Sequence, residues 1–232
     1  MKLDRSLKFT ANGLNCEYRS LSERDVTNEY VNGVRQQTRY LKYIPTDVSA
    51  DTQRQYIYEK RISPNDSING FFVNTRLIGT AGTQLSSNYL GYTNTPVDSV
   101  TTIGIFIFCP RWRRLGLGAI LVWATTYLLH HCAGKEWFGA GMEKENIPSL
   151  KSFLSCGYEQ IYEDDDNYRV LLNFQNLIKP KLITNESICY DQTRDTSECR
   201  GTSDSLRSID KITNDAGGGA IPCPGVVGYW NK

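Results

Sequence analysis

Hydrophobic positions along the chain follow two periods, and the switches between them divide it into strands and helices. Residues 14–20 set Leu14, Cys16 and Tyr18 against Asn15, Glu17 and Arg19, the alternation of a half-buried strand, expected at an early sheet edge. Ser22 opens a helical stretch to Val31, and beyond Pro45 either Ser49 or Asp51 caps a second one through 53–59. Apolar runs at 68–73 and 77–83, joined by Asn74-Thr75-Arg76, predict a hairpin, followed by a polar loop at 88–98. Residues 100–108 are rich in β-branched and aromatic types, which predicts a buried strand. Residues 119–129 carry no charge and no breaker, and Leu117, Leu121, Ala124 and Leu128 recur at helical spacing. A short apolar strand at 137–142 comes next, then a helix capped by Asn146 that carries Leu150, Phe153 and Leu154 on one face. Runs at 158–162 and 168–174, joined by the acidic turn 163–167, predict a closing hairpin.

From about residue 178 this pattern stops. Residues 185–219 are loaded with Ser, Thr, Asp, Asn, Arg and Gly and lack the apolar periodicity that would offset their ordering entropy. The organised domain is therefore expected at 1–177, with 178–232 as a polar linker or tail. The end, 220–230, is apolar again and suits docking on the domain, on a second copy in a homodimer, or on another protein. With 232 residues, 40% apolar content and a formal charge of +1, the chain has enough for one substantial core but no footprint for nucleic acid or an anionic membrane. The uncharged, strongly apolar run 115–129 is shorter than the roughly 20 residues a bilayer requires, and the N-terminus has no apolar secretory core. Seven cysteines without C-x-x-C spacing point to reduced thiols in a cytosol and away from a metal site. The expectation is a cytoplasmic protein for a small ligand, without metal.

The candidate chemistry lies where the buried strand meets the apolar helix, at Arg111-Trp112-Arg113-Arg114-Leu115-Gly116-Leu117-Gly118. A strand entering a helix through close glycines leaves bare amides at the helix N-terminus, where the dipole favours an anion. A triphosphate loop needs Lys and Ser or Thr after its last glycine, but Ala119 and Ile120 follow Gly118. A dinucleotide fingerprint needs a third glycine where Leu121 stands. What remains is Arg113-x-x-Gly116-x-Gly118. Downstream, Asn146-x-x-Ser149 opens a helix that closes at Gly157-Tyr158.

These two motifs, in this order and at this distance, resemble those of the GNAT acyl-CoA N-acyltransferases over residues 1–177. The resemblance implies an α/β (α+β) fold: a mixed, mostly antiparallel sheet flanked by helices, with one parallel strand pair splayed apart, plus a C-terminal extension. It implies acetyl-CoA as co-substrate, with the strand at Ile105, Phe106 and Ile107 meeting the pantetheine arm. The amides of Arg113, Arg114, Leu115, Gly116, Leu117 and Gly118 would meet the diphosphate, and Asn146 and Ser149 would also bind the co-substrate. By the same resemblance the first two helices wall the acceptor pocket, which brings in Tyr40, Tyr43 and Tyr56. Many members carry a tyrosine acid seven residues after the motif Asn, a position held here by Phe153. Tyr158 is then the candidate acid, and Glu143 the candidate base ahead of Glu145 and Asp98. The implied reaction is acetyl transfer to a primary amine in a ternary complex, first that of a nucleotide-linked amino sugar. A protein amine and a non-catalytic acyl-CoA-binding module are the alternatives.

Overall fold

In the computed structural model of the chain, the structure describes residues 3, 5–36, 47–86 and 100–190. The strands are β1 (Arg5–Ala11), β2 (Leu14–Ser20), β3 (Asp66–Val73), β4 (Arg76–Ser86), β5 (Val100–Ile107), β6 (Trp137–Glu143), β7 (Glu159–Glu163), β8 (Asn167–Asn173) and β9 (Ile183–Tyr190). The helices are α1 (Asn28–Arg35), α2 (Ala50–Ile62), α3 (Leu117–Ala133) and α4 (Ile147–Leu154). Together the strands form one nine-stranded sheet in the order β7-β8-β6-β5-β4-β3-β2-β1-β9. Every neighbouring pair runs antiparallel except β5 and β6, which run parallel. Among the described residues no helix is long and apolar enough to cross a membrane.

Alternation gives the sheet two apolar faces, each covered by helices. On one face Ile103, Phe71, Phe9 and Phe138 pack with Ile120, Leu121, Trp123 and Leu128 of α3, and α4 adds Phe153. On the other, Ile68, Phe72 and Phe108 pack with Tyr30 and Val31 of α1 and Ile57 of α2. The uncharged helix expected at 119–129 is α3, longer by one turn at its C-terminal end and buried along most of its length. Both expected hairpins form, as β3–β4 and β7–β8.

Three expectations change. The strand at 14–20 is no edge strand, because β1 pairs with it on one side and β3 on the other. The helix expected from Ser22 stops after a single 3-10 turn at Glu23–Asp25, and α1 starts afresh behind the cap Thr27, whose hydroxyl accepts the Tyr30 amide at 3.2 Å. The reason is Asp25. Its carboxylate takes two hydrogen bonds from Arg19 on β2, at 2.9 and 2.7 Å, and the Ser22 amide at 2.8 Å, which ties the turn to the sheet. Third, the sheet does not end at 177: β9 lies inside the stretch expected as linker and pairs with β1. The apolar end at 220–230 and the loop at 88–98 lie outside the described residues.

The Asp25 anchor gives a pH test. Burial alone would raise its carboxyl, but hydrogen bonds from Arg19 and Ser22 outweigh burial and hold it below the ordinary 3.8. The stabilisation is thus present at neutral pH and lost as pH falls through the lowered value. Asp25→Asn is expected to cost about 3 kcal/mol at pH 7, since it leaves the largely buried Arg19 with one good partner fewer. Thermal melts should show this difference shrinking below about pH 4.

Candidate functional site

The parallel pair is where the sheet opens. β5 and β6 pair only at Thr101–Phe138 and Thr102–Gly139, near the start of both strands. Beyond Thr102, β5 continues to Ile107 along β4, and β6 continues to Glu143 along β8, so the two strands part and leave a notch toward their C-terminal ends. Alternation along β6 buries Phe138, Ala140 and Met142 in the α3 core and puts Gly139, Gly141 and Glu143 on the opposite face. That face of the notch is lined on β6 by two residues without side chains.

At the end of β5 the chain makes a 3-10 turn, Pro110–Trp112, and enters α3 through Arg113, Arg114, Leu115 and Gly116. Gly116 is the N-cap of α3 with φ +76°, a left-handed conformation that most side chains resist, and it offers no side-chain cap. The first-turn amides of α3 therefore face outward with no partner inside the helix. No carboxylate occurs anywhere between Val100 and Gly134, whereas Arg111, Arg113 and Arg114 stand together before the helix. A strand gap beside an uncapped, cation-flanked helix N-terminus can hold an extended molecule with an anionic group.

No protein-family model and no curated protein matches the chain. Solved structures do. RimJ of Mycobacterium smegmatis, in complex with CoA-disulfide, is 12% identical with a TM-score of 0.58, over 77% of this chain and 93% of that one. The ribosomal-protein-S5-alanine acetyltransferase of Vibrio fischeri is 13% identical with a TM-score of 0.55, over 71% and 96%. The spermidine N-acetyltransferase of Vibrio cholerae, in complex with CoA and spermine, is 14% identical with a TM-score of 0.54, over 69% and 96%.

The fold is that of the GNAT acetyltransferases.

Within the GNAT fold the residues singled out in the sequence fall into two groups. Several border the notch and the loop. The side chains of Ile105 and Ile107 lean on the α3 core and that of Phe106 on the α1–α2 core, so only their backbone borders the gap. Arg114, with φ +62°, and Leu115 are exposed in the loop, while the Leu117 side chain is buried and leaves only its amide there. Glu143 is exposed at the end of β6. Asn146 caps α4, its side-chain oxygen accepting the Ser149 amide at 3.3 Å, so these two residues bind each other.

Others are engaged elsewhere. Arg113 spends its guanidinium on the Ile107 carbonyl, through Nε at 3.1 Å and Nη2 at 3.0 Å, and its amide on the Pro110 carbonyl at 3.1 Å. It braces the exit of β5. Gly118 faces α4: a Cβ there would stand 2.7 Å from Ser152 Oγ, so its missing side chain serves helix packing. The Tyr158 phenol is buried at 3% exposure and shares a 2.7 Å hydrogen bond with Thr126, beside the Phe153 ring. Those surroundings are core, and they give no support to the acid role expected for Tyr158. Cys156 is buried too, its thiol bonded to the Ala119 carbonyl and pushed up to about 12 by burial. Tyr56 packs at the edge of the α1–α2 core, whereas Tyr40, Tyr43 and Asp98 lie outside the described residues.

Tyr158→Phe is accordingly expected to lower stability by about 1 kcal/mol, since Thr126 keeps its bond to the Val122 carbonyl, and to leave CoA affinity unchanged. Calorimetry with CoA and a thermal melt check both; a loss of a hundredfold or so in turnover would return the phenol to the chemistry.

The sequence reading missed one neighbour of the loop. Leu182 reaches Gly116, with its Cδ1 3.7 Å from where a Gly116 Cβ would stand. Nothing in the local pattern announced a contact between positions 66 residues apart.

Proposed function

We propose that the chain is an acetyl-CoA-dependent N-acetyltransferase that moves an acetyl group to a primary amine. The observation that carries this reading is the parting of β5 and β6 after Thr102 beside the Gly116-capped start of α3. The residues fit coenzyme A: the free edge of β5 at 103–107 offers backbone to the pantetheine arm. The first-turn amides of α3 and the loop amides of 114–116 suit the diphosphate, and the stretch 100–134 that carries them contains no carboxylate. Coenzyme A would bring the acetyl group as a thioester.

The protein's part in the reaction is positioning and proton handling. Backbone donors along the opened strands hold the carbonyl and stabilise the charge that develops on its oxygen. Gly139 and Gly141 leave room for the amine on the face opposite α3, and Glu143, at the end of the same strand, takes the proton of the attacking amine directly or through water. A strong acid is dispensable, because a thiolate with a pKa of about 8.5 leaves readily. That agrees with Phe153 at the usual acid position and with Tyr158 committed to Thr126.

For the acceptor, the sequence resemblance favours an amino sugar, often nucleotide-linked, and a protein amine stands second. The test is CoA titration of the full chain, then thiol release from acetyl-CoA with a panel of nucleotide-linked amino sugars, N-terminal peptides and polyamines. Binding plus acceptor-dependent release is expected. Binding without release from any amine would make the chain an acyl-CoA-binding module, and absence of binding would overturn the reading.

A further inference from the structure

The segment from Leu177 to β9 lies past the closing hairpin, where the GNAT motifs end, yet it returns to the diphosphate loop. From the end of β8 it runs back along α3 and α4: the Ile178 amide donates to the Cys156 carbonyl at 3.0 Å, and Lys179 pairs with Glu186 at 2.5 Å. It then makes a tight turn, closed by the Ile183 amide donating to the Pro180 carbonyl at 3.0 Å. That bond leaves Lys181 and Leu182 as the two tip residues, both exposed. Ile183 behind them is buried at 3% and starts the pairing with β1, so the tip is held from both sides. The tip stands against the loop, with Leu182 at van der Waals distance from Gly116. Leu115, 47% exposed, is the residue before Gly116, and Leu182 is 45% exposed.

We propose that the Pro180–Ile183 turn is the outer wall of the co-substrate site, where Lys181 pairs with the 3′-phosphate of coenzyme A and Leu182 with Leu115 receives the adenine. This rests on the reading of the loop as a coenzyme A site. Leu115 and Leu182 both adjoin Gly116, one along the chain and one by contact, and exposed apolar side chains beside an anion-binding loop suit a flat apolar ring. Lys181, the exposed cation next to Leu182 at the tip, suits a second anionic group beyond the diphosphate. The turn thus gives the segment a role in telling coenzyme A from its 3′-dephospho form.

The experiment is isothermal titration of the full chain and of Lys181→Glu, Lys181→Ala and Lys181→Arg with CoA and with 3′-dephospho-CoA, alongside thermal melts. The wild type is expected to prefer CoA roughly fivefold, the reach of one exposed charge-assisted pair. Lys181→Ala should abolish that preference, Lys181→Glu should invert it, and Lys181→Arg should keep it, all with unchanged melting temperature. Equal losses for both nucleotides, or a preference that survives Lys181→Glu, would overturn the proposal while leaving the coenzyme A site standing. A wild type that binds neither nucleotide would overturn both.

Discussion

Gly116→Asp is expected to fold normally and to bind CoA about 100-fold more weakly. The two halves of this result have separate causes. Asp is one of the few side chains that tolerates the left-handed backbone, and it is a favoured helix N-cap, so α3 should gain in capping roughly what it loses in strain at φ +76°. The added Cβ meets only Leu182, at an ordinary 3.7 Å. The carboxylate, however, occupies the first-turn amides and sets a negative charge where an anion must sit. At an effective dielectric near 20, two like charges about 5 Å apart cost roughly 3 kcal/mol, which is about 100-fold in affinity. Calorimetry with CoA on a variant of unchanged melting temperature checks this. An unchanged affinity would remove the loop from the site. Gly118→Asp is a poorer test, because its side chain collides with Ser152 before it reaches any ligand.

A chain ending at residue 177 is expected to melt at least about 10 °C below one ending at residue 190. The shorter chain loses β9 and with it the pairing of β1 from Arg5 to Ala11. It also loses Ile183, whose burial alone is worth about 1.5 to 3 kcal/mol. Leu7, Phe9 and Ala11, all buried, would then sit on a bare sheet edge, open to pairing with other chains. Together these losses amount to about 4 kcal/mol or more, which is the basis for the shift of about 10 °C in a chain of this size. Scanning calorimetry on the two truncations decides; equal melting of the 177-residue chain would restore the domain boundary expected from the sequence.

Why β9 was illegible is visible in its register. Thr10 pairs with Thr184, but two positions back along β1 Lys8 pairs with Ser187, so β9 carries one residue more than its partner there. Asn185, with φ +55°, sits in that bulge. The extra residue shifts the phase of alternation: Ile183 and Ile188 are five apart yet both face inward, and a period of two counts them on opposite faces. The surrounding Ser, Thr and Asn then completed the look of a linker. The misplaced helix start at Ser22 has a similar source, since the spacing of Ser22 and Asp25 reads as a helix cap while Arg19, on a strand, claims the acid.

By itself, the sequence determined the elements whose signals are local: the uncharged run that became α3, the cap Asn146, the hairpins, and the strand–glycine–helix junction at Gly116, whereas the choice of Ser49 over Asp51 as the α2 cap came from the structure. Each rests on periodicity or backbone preference within one or two turns of chain, which neighbours in sequence suffice to express. Tertiary structure alone decided how far β5 and β6 part, which of the motif residues stay available, and what stands beside them. Arg113, Gly118 and Tyr158 look like site residues in the string of letters. Ile107 and Thr126 claim Arg113 and Tyr158 in space, and Ser152 takes the side-chain position of Gly118 while leaving its amide in the first turn, because hydrogen bonds and close packing join whatever the sheet brings together, however far apart along the chain.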